Sequence, residues 1–201
     1  MEIDVDQSPI RCAAPDDWPL VAEITGEAFA EDPVSQWVMG KPASIRSIFQ
    51  IMARDIYAQR GLCYLAGDGG ATMWLPPGEA GDMSTRTQLS LVWHLLRQTN
   101  LGALPRALEA GNRMEKHHPK ERHMYLFTIG TRQTARGRGL GKALLSPILA
   151  ACDRDGLPVY LENSNPVNTG FYRSFGFESR GTFSVGDNGP IMEPMWRDPK
   201  R

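Results

Sequence analysis

Residues 124–152 read MYLFTIGTRQTARGRGLGKALLSPILAAC and predict a strand, a glycine-rich turn and a helix. The run before Gly130 is apolar and of strand type. After the turn an apolar residue recurs at every fourth position, the spacing of one helix face: Leu140, Leu144, Ile148 and Cys152. The first backbone N–H groups of a helix lack internal acceptors, and the helix dipole makes that end positive. We therefore expect an anion, specifically a pyrophosphate, to bind at this turn.

The residue types in the turn favour the same ligand. Glycine lets the backbone approach a phosphate because no Cβ atom intervenes, and basic side chains add full positive charge. The predicted contacts are Arg136, Gly137, Arg138, Gly139, Leu140, Gly141 and Lys142. A P-loop would need glycine at position 136 and serine or threonine at position 143, so its spacing does not match. The dinucleotide fingerprint G-x-G-x-x-G does not match either.

A second stretch, residues 161–178, reads LENSNPVNTGFYRSFGFE. It begins inside a predicted short strand over residues 158–162. Asn165 followed by Pro166 is typical of a helix N-cap with proline at the first helical position. Gly176 predicts the end of that helix.

Together the two stretches resemble motifs A and B of the GNAT superfamily of N-acetyltransferases. Arg136, Gly139 and Gly141 match the motif A pattern [QR]-x-x-G-x-[GA], and residues 161–178 match the order of motif B. The resemblance implies an α/β fold of GNAT type. Its central, mostly antiparallel twisted sheet should be splayed at strands 4 and 5, with helices on both faces. It also implies acetyl-CoA as co-substrate.

The rest of the chain fits one such domain over residues 9–201, after a flexible N-terminus at residues 1–8. We expect a first strand at residues 9–14, a helix at residues 15–30 and a second helix over residues 45–60. Two strands, residues 62–66 and 71–75, flank a glycine-rich hairpin turn. This order of elements is that of GNAT domains.

Residues 79–121 predict a helical insertion between strands 3 and 4. Apolar residues recur at helical spacing in two groups: Leu89, Val92, Trp93 and Leu96, then Leu101, Leu104 and Leu108. The insertion could thicken the core or cover the acceptor end of the cleft, since inserted segments often carry specificity. The segments WLPPG, HMYL and GPIMEPMWRDP resemble a GNAT branch that includes puromycin-type acetyltransferases. A small-molecule amine is therefore the expected acceptor.

Composition limits the partners. The chain has 201 residues, a net charge of −1 and 41% hydrophobic residues, which is typical of a globular domain without a nucleic-acid-binding surface. The sequence contains no apolar run of membrane-spanning length and no signal-peptide pattern, so we expect a cytoplasmic monomer or homodimer. The three cysteines, Cys12, Cys63 and Cys152, lie in apolar surroundings and are expected to be buried thiols.

The resemblance also assigns roles along the cleft. The end of the fourth strand would bind the pantetheine arm through its main chain, and motif B would add further contacts to coenzyme A. These contacts are Thr128, Ile129, Gly130, Thr131, Asn163, Asn168 and Phe171. Tyr172 matches the tyrosine that protonates the departing thiolate.

The general base is open. Tyr125 stands where some relatives carry a glutamate base, so Glu162 is the first alternative and His123 the second. Adjacent histidines such as His117 and His118 rarely bind one ion together, and the reaction needs no metal, so no metal site is expected. The predicted function is acetyl transfer from acetyl-CoA to a small primary amine. The alternatives are a non-catalytic acyl-CoA sensor and a peptide or protein amine acetyltransferase.

Overall fold

The computed structural model describes residues 10–79, 89, 92–93 and 102–200. The strands are β1 Ile10–Cys12, β2 Leu62–Ala66, β3 Gly70–Leu75, β4 Met124–Thr131, β5 Val159–Asn163, β6 Glu178–Ser179, β7 Phe183–Ser184 and β8 Ile191–Arg197. They form an eight-stranded sheet in the order β1-β2-β3-β4-β5-β8-β6, and β7 also pairs with β8. The β4–β5 pair is parallel and the other pairs are antiparallel. The predicted mixed, mostly antiparallel sheet is confirmed.

Helices cover both faces of the sheet, as expected. They are α1 Trp18–Ala28, α2 Pro33–Met39, α3 Pro42–Met52, α4 Ala103–His117, α5 Leu140–Arg154 and α6 Thr169–Ser174. One core cluster joins α5 and α6 to the sheet, and a second joins α1 and α3 to the opposite face. The predicted apolar face of α5 is confirmed, because Leu144, Ile148 and Cys152 are fully buried.

Several boundaries differ from the prediction. The helix expected over residues 15–30 is a 3-10 turn, Pro15–Asp17, followed by α1. α3 continues through a π-helical turn, Ala53–Tyr57, into Ala58–Arg60. The sequence reading missed α2, although Asp32 accepts a hydrogen bond from the Ser35 N–H and caps it, and Gly40 ends it at a φ of 73°.

The expectation of three buried cysteines is wrong at one position. Cys63 and Cys152 are buried free thiols, whereas Cys12 is exposed. Cys12 is the last residue of β1, which pairs only with β2 at one edge of the sheet as described. Ile10, two residues earlier and on the same face of the strand, is buried, so the position of Cys12 at the end of β1 rather than the face of the strand exposes its thiol.

Strands β4 and β5 separate after a short parallel stretch. Their paired positions are Met124–Val159, Tyr125–Tyr160 and Leu126–Leu161. Beyond them β4 continues along β3 and β5 along β8. The register of β3 against β4 shifts between Met73 and Trp74, which leaves Phe127 as an extra residue in β4. Because a bulge bends its strand, the sheet opens here, as the predicted splay requires.

The insertion between β3 and β4 contains α4, which packs against α2 and the end of the sheet. The predicted leucine face of this helix is wrong at Leu108, which is 60% exposed, whereas Leu104 is partly buried. Ala103 and Ala110 are the buried residues of the helix. Small side chains let α4 approach its neighbours closely. Leu89, Val92 and Trp93 are helical, whereas Leu96, Leu101 and residues 1–8 lie outside the described residues. No helix within the described ranges is long and apolar enough to cross a membrane.

Candidate active site

The turn from β4 to α5 forms a concave, basic cradle. Gly137 and Gly139 adopt left-handed φ angles of 74° and 78°, and Gly139 is the N-cap of α5. The first N–H groups of this 15-residue helix therefore face a cavity of about 370 Å³. The predicted residues on its wall are Ile129, Gly130, Thr131, Arg136, Gly137, Gly139, Leu140, Gly141, Lys142, Asn168 and Phe171. Arg138 is exposed at the same turn but does not line the cavity.

Packing around the cradle explains two of its residues. A Cβ atom on Gly141 would come 3.1 Å from Cζ of Phe171, so glycine allows this ring to pack on the first turn of α5. At Gly139 a Cβ atom would meet nothing within 4 Å in the part of the chain that the structure describes, and it would project into open space. The turn is also held from outside, because Arg132 forms ion pairs of 2.9 and 2.7 Å with Glu23 and Glu27 of α1.

A second cavity, of about 460 Å³, occupies the gap between β4 and β5. It shares six wall residues with the cradle, so the two cavities form one continuous cleft: Ile129, Gly130, Thr131, Arg136, Asn168 and Tyr172. Thr128 lies on the wall of the gap with only 3% of its surface exposed. Its hydroxyl has no hydrogen-bond partner among the described residues. A buried polar group of this kind suits a ligand that brings its own donor or acceptor.

Tyr172 of α6 stands at the junction of the two cavities. The side chain is buried, and burial raises the pKa of its phenol, with a further contribution from the charge of Asp32. The phenol therefore keeps its proton at neutral pH. A protonated phenol in this place can donate to a developing anion in the cleft.

The two predicted asparagines occupy different environments. Asn168 is exposed and lines both cavities. Asn163 also lines the gap, but its Nδ2 donates to Thr169 Oγ1 at 3.0 Å and to Glu193 Oε2 at 3.3 Å. Its Oδ1 accepts from the Asn165 N–H at 3.2 Å. These bonds fix the loop that follows β5 and carries α6.

Glu162 lies at the end of the cleft remote from the cradle. Its side chain is only 3% exposed and lines the gap between the strands. Tyr125 donates a hydrogen bond of 2.6 Å from its hydroxyl to Glu162 Oε2. His118 Nδ1 lies 3.4 Å from the other carboxylate oxygen, and its side chain is 36% exposed. Tyr125 therefore orients the carboxylate, and His118 connects it to solvent.

His123 packs against His118 and does not line either of the two cavities. Its ring centroid is 5.1 Å from that of His118, and the Nδ1 atom lies 2.6 Å from the carbonyl oxygen of Glu121. Burial lowers the pKa of His123, although the hydrogen bond to Glu121 acts in the opposite direction. The geometry favours Glu162 over His123 for direct contact with a substrate, and it gives His118 a position that the sequence did not reveal.

Asp32 is the other residue that the sequence reading missed. It is 7% exposed, lines the gap, and accepts hydrogen bonds from the Ser35 N–H and the Ser164 hydroxyl. Asp32 followed by Pro33 forms the same cap-and-proline pattern as Asn165 followed by Pro166, and this pattern predicts the helix but not the position of Asp32 in the cleft. Among the residues that the structure describes, no group of three or more His, Cys, Asp or Glu side chains could hold a metal ion.

Known proteins resemble this arrangement. The model of the acetyltransferase (GNAT) family matches residues 106–177, which include β4, the cradle, β5 and α6. An uncharacterized N-acetyltransferase of Schizosaccharomyces pombe is 28% identical over 199 residues, covering 92% of this chain and 81% of that protein. The chain is therefore similar to GNAT-type N-acetyltransferases over the residues that form the site.

One solved structure and one further sequence relative agree with the family model. A crystal structure from Corynebacterium glutamicum, described as histone acetyltransferase HPA2 and related acetyltransferase, superposes with a TM-score of 0.72. It is 26% identical, and the match covers 96% of each chain. N-alpha-acetyltransferase 50 of Danio rerio is 30% identical over 66 residues, which is 31% of this chain and 39% of that protein. GNAT acetyltransferase activity is thus supported, and the acceptor has to be inferred from the site.

Proposed function

We propose that the protein transfers an acetyl group from acetyl-CoA to a primary amine of a small molecule, by direct attack in a ternary complex. One observation carries the proposal. A single cleft begins at a basic helix N-terminus, passes Tyr172 and ends at the buried carboxylate of Glu162. Donor and acceptor could therefore meet beside the tyrosine.

The residues present fit acetyl-CoA. The N–H groups at the start of α5, with Arg136 and Lys142, would hold the pyrophosphate. Residues 128–131 run along the opened edge of β4, where backbone groups and the Thr128 hydroxyl would bind the amide-containing arm. Bound there, acetyl-CoA would supply an activated thioester. The open space beside Gly139 is the volume that the phosphates would need.

Glu162 is the proposed general base. An ammonium group must lose a proton before it can attack, and a carboxylate on the cleft wall can accept that proton directly or through water. The Tyr125 hydroxyl holds the carboxylate in one orientation at 2.6 Å. His118 lies 3.4 Å away with 36% of its side chain exposed, and it offers the proton a route out of the cleft. His123, whose ring packs against that of His118, would assist this proton transfer rather than act on the amine.

Tyr172 is the proposed general acid. It lies between the cradle and Glu162, where the departing sulfur has to be, and its raised pKa keeps the phenol protonated. Positioning the two reactants in one cleft supplies a further large part of the rate enhancement. We propose the cytoplasm as the site of action and a monomer or a homodimer as the state of assembly.

The test is a thermal unfolding measurement with and without acetyl-CoA, followed by a thiol-release assay over a panel of amines. Because a ligand of the folded state raises Tm by mass action, we expect a Tm increase and thiol release with small amines. A Tm increase without release from any amine would favour the acyl-CoA sensor. Release only with peptides would favour the peptide acetyltransferase, and no Tm increase would refute the cradle.

A further inference from the structure

A third cavity, of about 250 Å³, opens from the acceptor end of the cleft. It shares its mouth with the gap between β4 and β5: Phe29, Asp32, Phe127, Thr128, Glu162 and Ser164 line both. A molecule whose amine lies at Glu162 could therefore extend its remaining atoms into this cavity. We call this cavity the side pocket.

The walls of the side pocket away from the mouth are mostly apolar. They come from α2, α3 and the inserted helix α4, and include Val38, Ile45, Phe49, Met52, Ala110 and Met114. Aromatic and aliphatic groups bind favourably against such walls because apolar surface leaves water. Methionine side chains add adaptability of shape.

Charge is confined to the mouth. Among the described residues that line the side pocket, the charged side chains are Asp32 and Glu162, and both are acidic. Asp32 is held by Ser164 and by the Ser35 N–H, so this carboxylate has a fixed position. One ammonium group is favoured at the mouth, whereas a second charge on the same ligand would have to enter the apolar end without a partner.

Resting on the proposed function, we propose that the acceptor is a primary amine with one positive charge and a compact apolar body, such as an arylalkylamine or a medium-length alkylamine. The amine lies at the carboxylates of the mouth and the body fills the side pocket. A volume of about 250 Å³ holds on the order of eight non-hydrogen atoms, since a water molecule occupies about 30 Å³ in the liquid. The carbon body of 2-phenylethylamine has this size.

Gly111 of α4 gives a clean way to fill the pocket. It lies on the pocket wall, and a Cβ atom there would meet no atom of the described residues within 4 Å. Gly111→Leu should therefore occupy pocket volume without straining the fold, and replacing a glycine within a helix favours the helix. The matched control is Asn112→Leu, at the next position of α4, which is exposed and does not line the pocket.

The experiment measures kcat/KM for propylamine, hexylamine, 2-phenylethylamine, 1,4-diaminobutane and a short peptide with a free N-terminus. We expect about a fourfold rise for each methylene that fits, and 2-phenylethylamine at least tenfold above the diamine and the peptide. Gly111→Leu should lower kcat/KM for 2-phenylethylamine by about tenfold or more and that for propylamine by less than about twofold. Asn112→Leu should leave both values unchanged.

Preference for the diamine or the peptide, or a Gly111→Leu variant that treats all amines like the wild type, would overturn the inference. If no amine releases thiol, the proposed function fails, and calorimetric titration of 2-phenylethylamine into the CoA-loaded protein then decides the pocket separately. Binding that Gly111→Leu weakens tenfold supports the pocket assignment. Absent binding, or binding that ignores this substitution, refutes it.

Discussion

A matched pair of glycine substitutions tests the cradle most directly. Gly139 lies at the N-cap of α5 with a φ of 78°, and Gly156 lies in the turn after α5 with a φ of 64°. At both positions a Cβ atom would lie more than 4 Å from every other residue within the described ranges. Gly139→Ala and Gly156→Ala should therefore impose the same kind of backbone strain, about 1–2 kcal/mol each. For a chain of this size, Tm should fall by about 2–8 °C in both variants.

Only Gly139→Ala should also weaken acetyl-CoA binding. The new methyl group would stand where the phosphate approaches the helix N-terminus, and losing one charge-assisted hydrogen bond costs about 1.5–3 kcal/mol. This corresponds to a Kd increase of about 10- to 100-fold. At a ligand concentration of 100 times the wild-type Kd, stabilisation by acetyl-CoA would fall from about 2.7 to about 0.4 kcal/mol after a 100-fold loss.

The assay is thermal unfolding of wild type and both variants across an acetyl-CoA concentration series. The wild type and Gly156→Ala should show the same ligand-dependent increase in Tm, and Gly139→Ala a much smaller one. An equal increase in all three proteins would refute the assignment of the cradle. A loss in both variants would mean that backbone strain, rather than the position of the methyl group, impairs binding.

Three further predictions concern catalysis and stability. Glu162→Gln should lower kcat about 10²- to 10⁴-fold and keep the Tm increase with acetyl-CoA; an unchanged kcat would exclude the base role. Tyr172→Phe should lower kcat about 10²-fold in thiol release with acetyl-CoA binding retained, and full activity would remove the acid from the mechanism. Burial acts to raise the pKa of Asp153, but hydrogen bonds from Arg197 and the Lys200 N–H outweigh it and lower that pKa below 3.8. The ionised Asp153 therefore stabilises the fold above about pH 4, and this contribution is lost as the pH falls further. Arg197→Met should therefore cost about 3 kcal/mol in denaturant unfolding at pH 7 and less at pH 2, and an equal cost at both pH values would contradict the ion-pair account.

The cradle was predictable because its determinants are local. One strand, turn and helix, residues 124–152, contain all of them: the glycines with left-handed φ, the basic residues beside these glycines and the four-residue apolar spacing of α5. The same holds for the N-cap at Asn165, whose Oδ1 accepts from the Val167 N–H at 3.1 Å. Local patterns of this kind fix backbone geometry almost independently of the rest of the fold.

The surroundings of Glu162 were not predictable in this way. His118 is 44 positions away in the chain and reaches the carboxylate because it directly follows α4, which packs beside the sheet. The contact of Asp32 with Ser164 spans 132 positions. Such contacts depend on how elements dock, and a single sequence shows which residues can cap or pair but not which distant partner they meet.

The bulge at Phe127 connects the local pattern of β4 with the contacts between distant elements. Leu126 packs in the core cluster beneath α5, and so does Ile129 three positions later, although strict alternation would place them on opposite faces of the sheet. Between them, Phe127 packs with the cluster around α3, and Thr128 lines the cleft with a hydroxyl that no described residue pairs. The extra residue, Phe127, thus separates β4 from β5. It also directs the Phe127 ring and the Thr128 hydroxyl towards adjoining parts of the cleft. Alternation along β4 consequently predicts side-chain direction only as far as Phe127. The residues beyond the bulge, 128–131, line the cleft in which the proposed donor and acceptor would both bind.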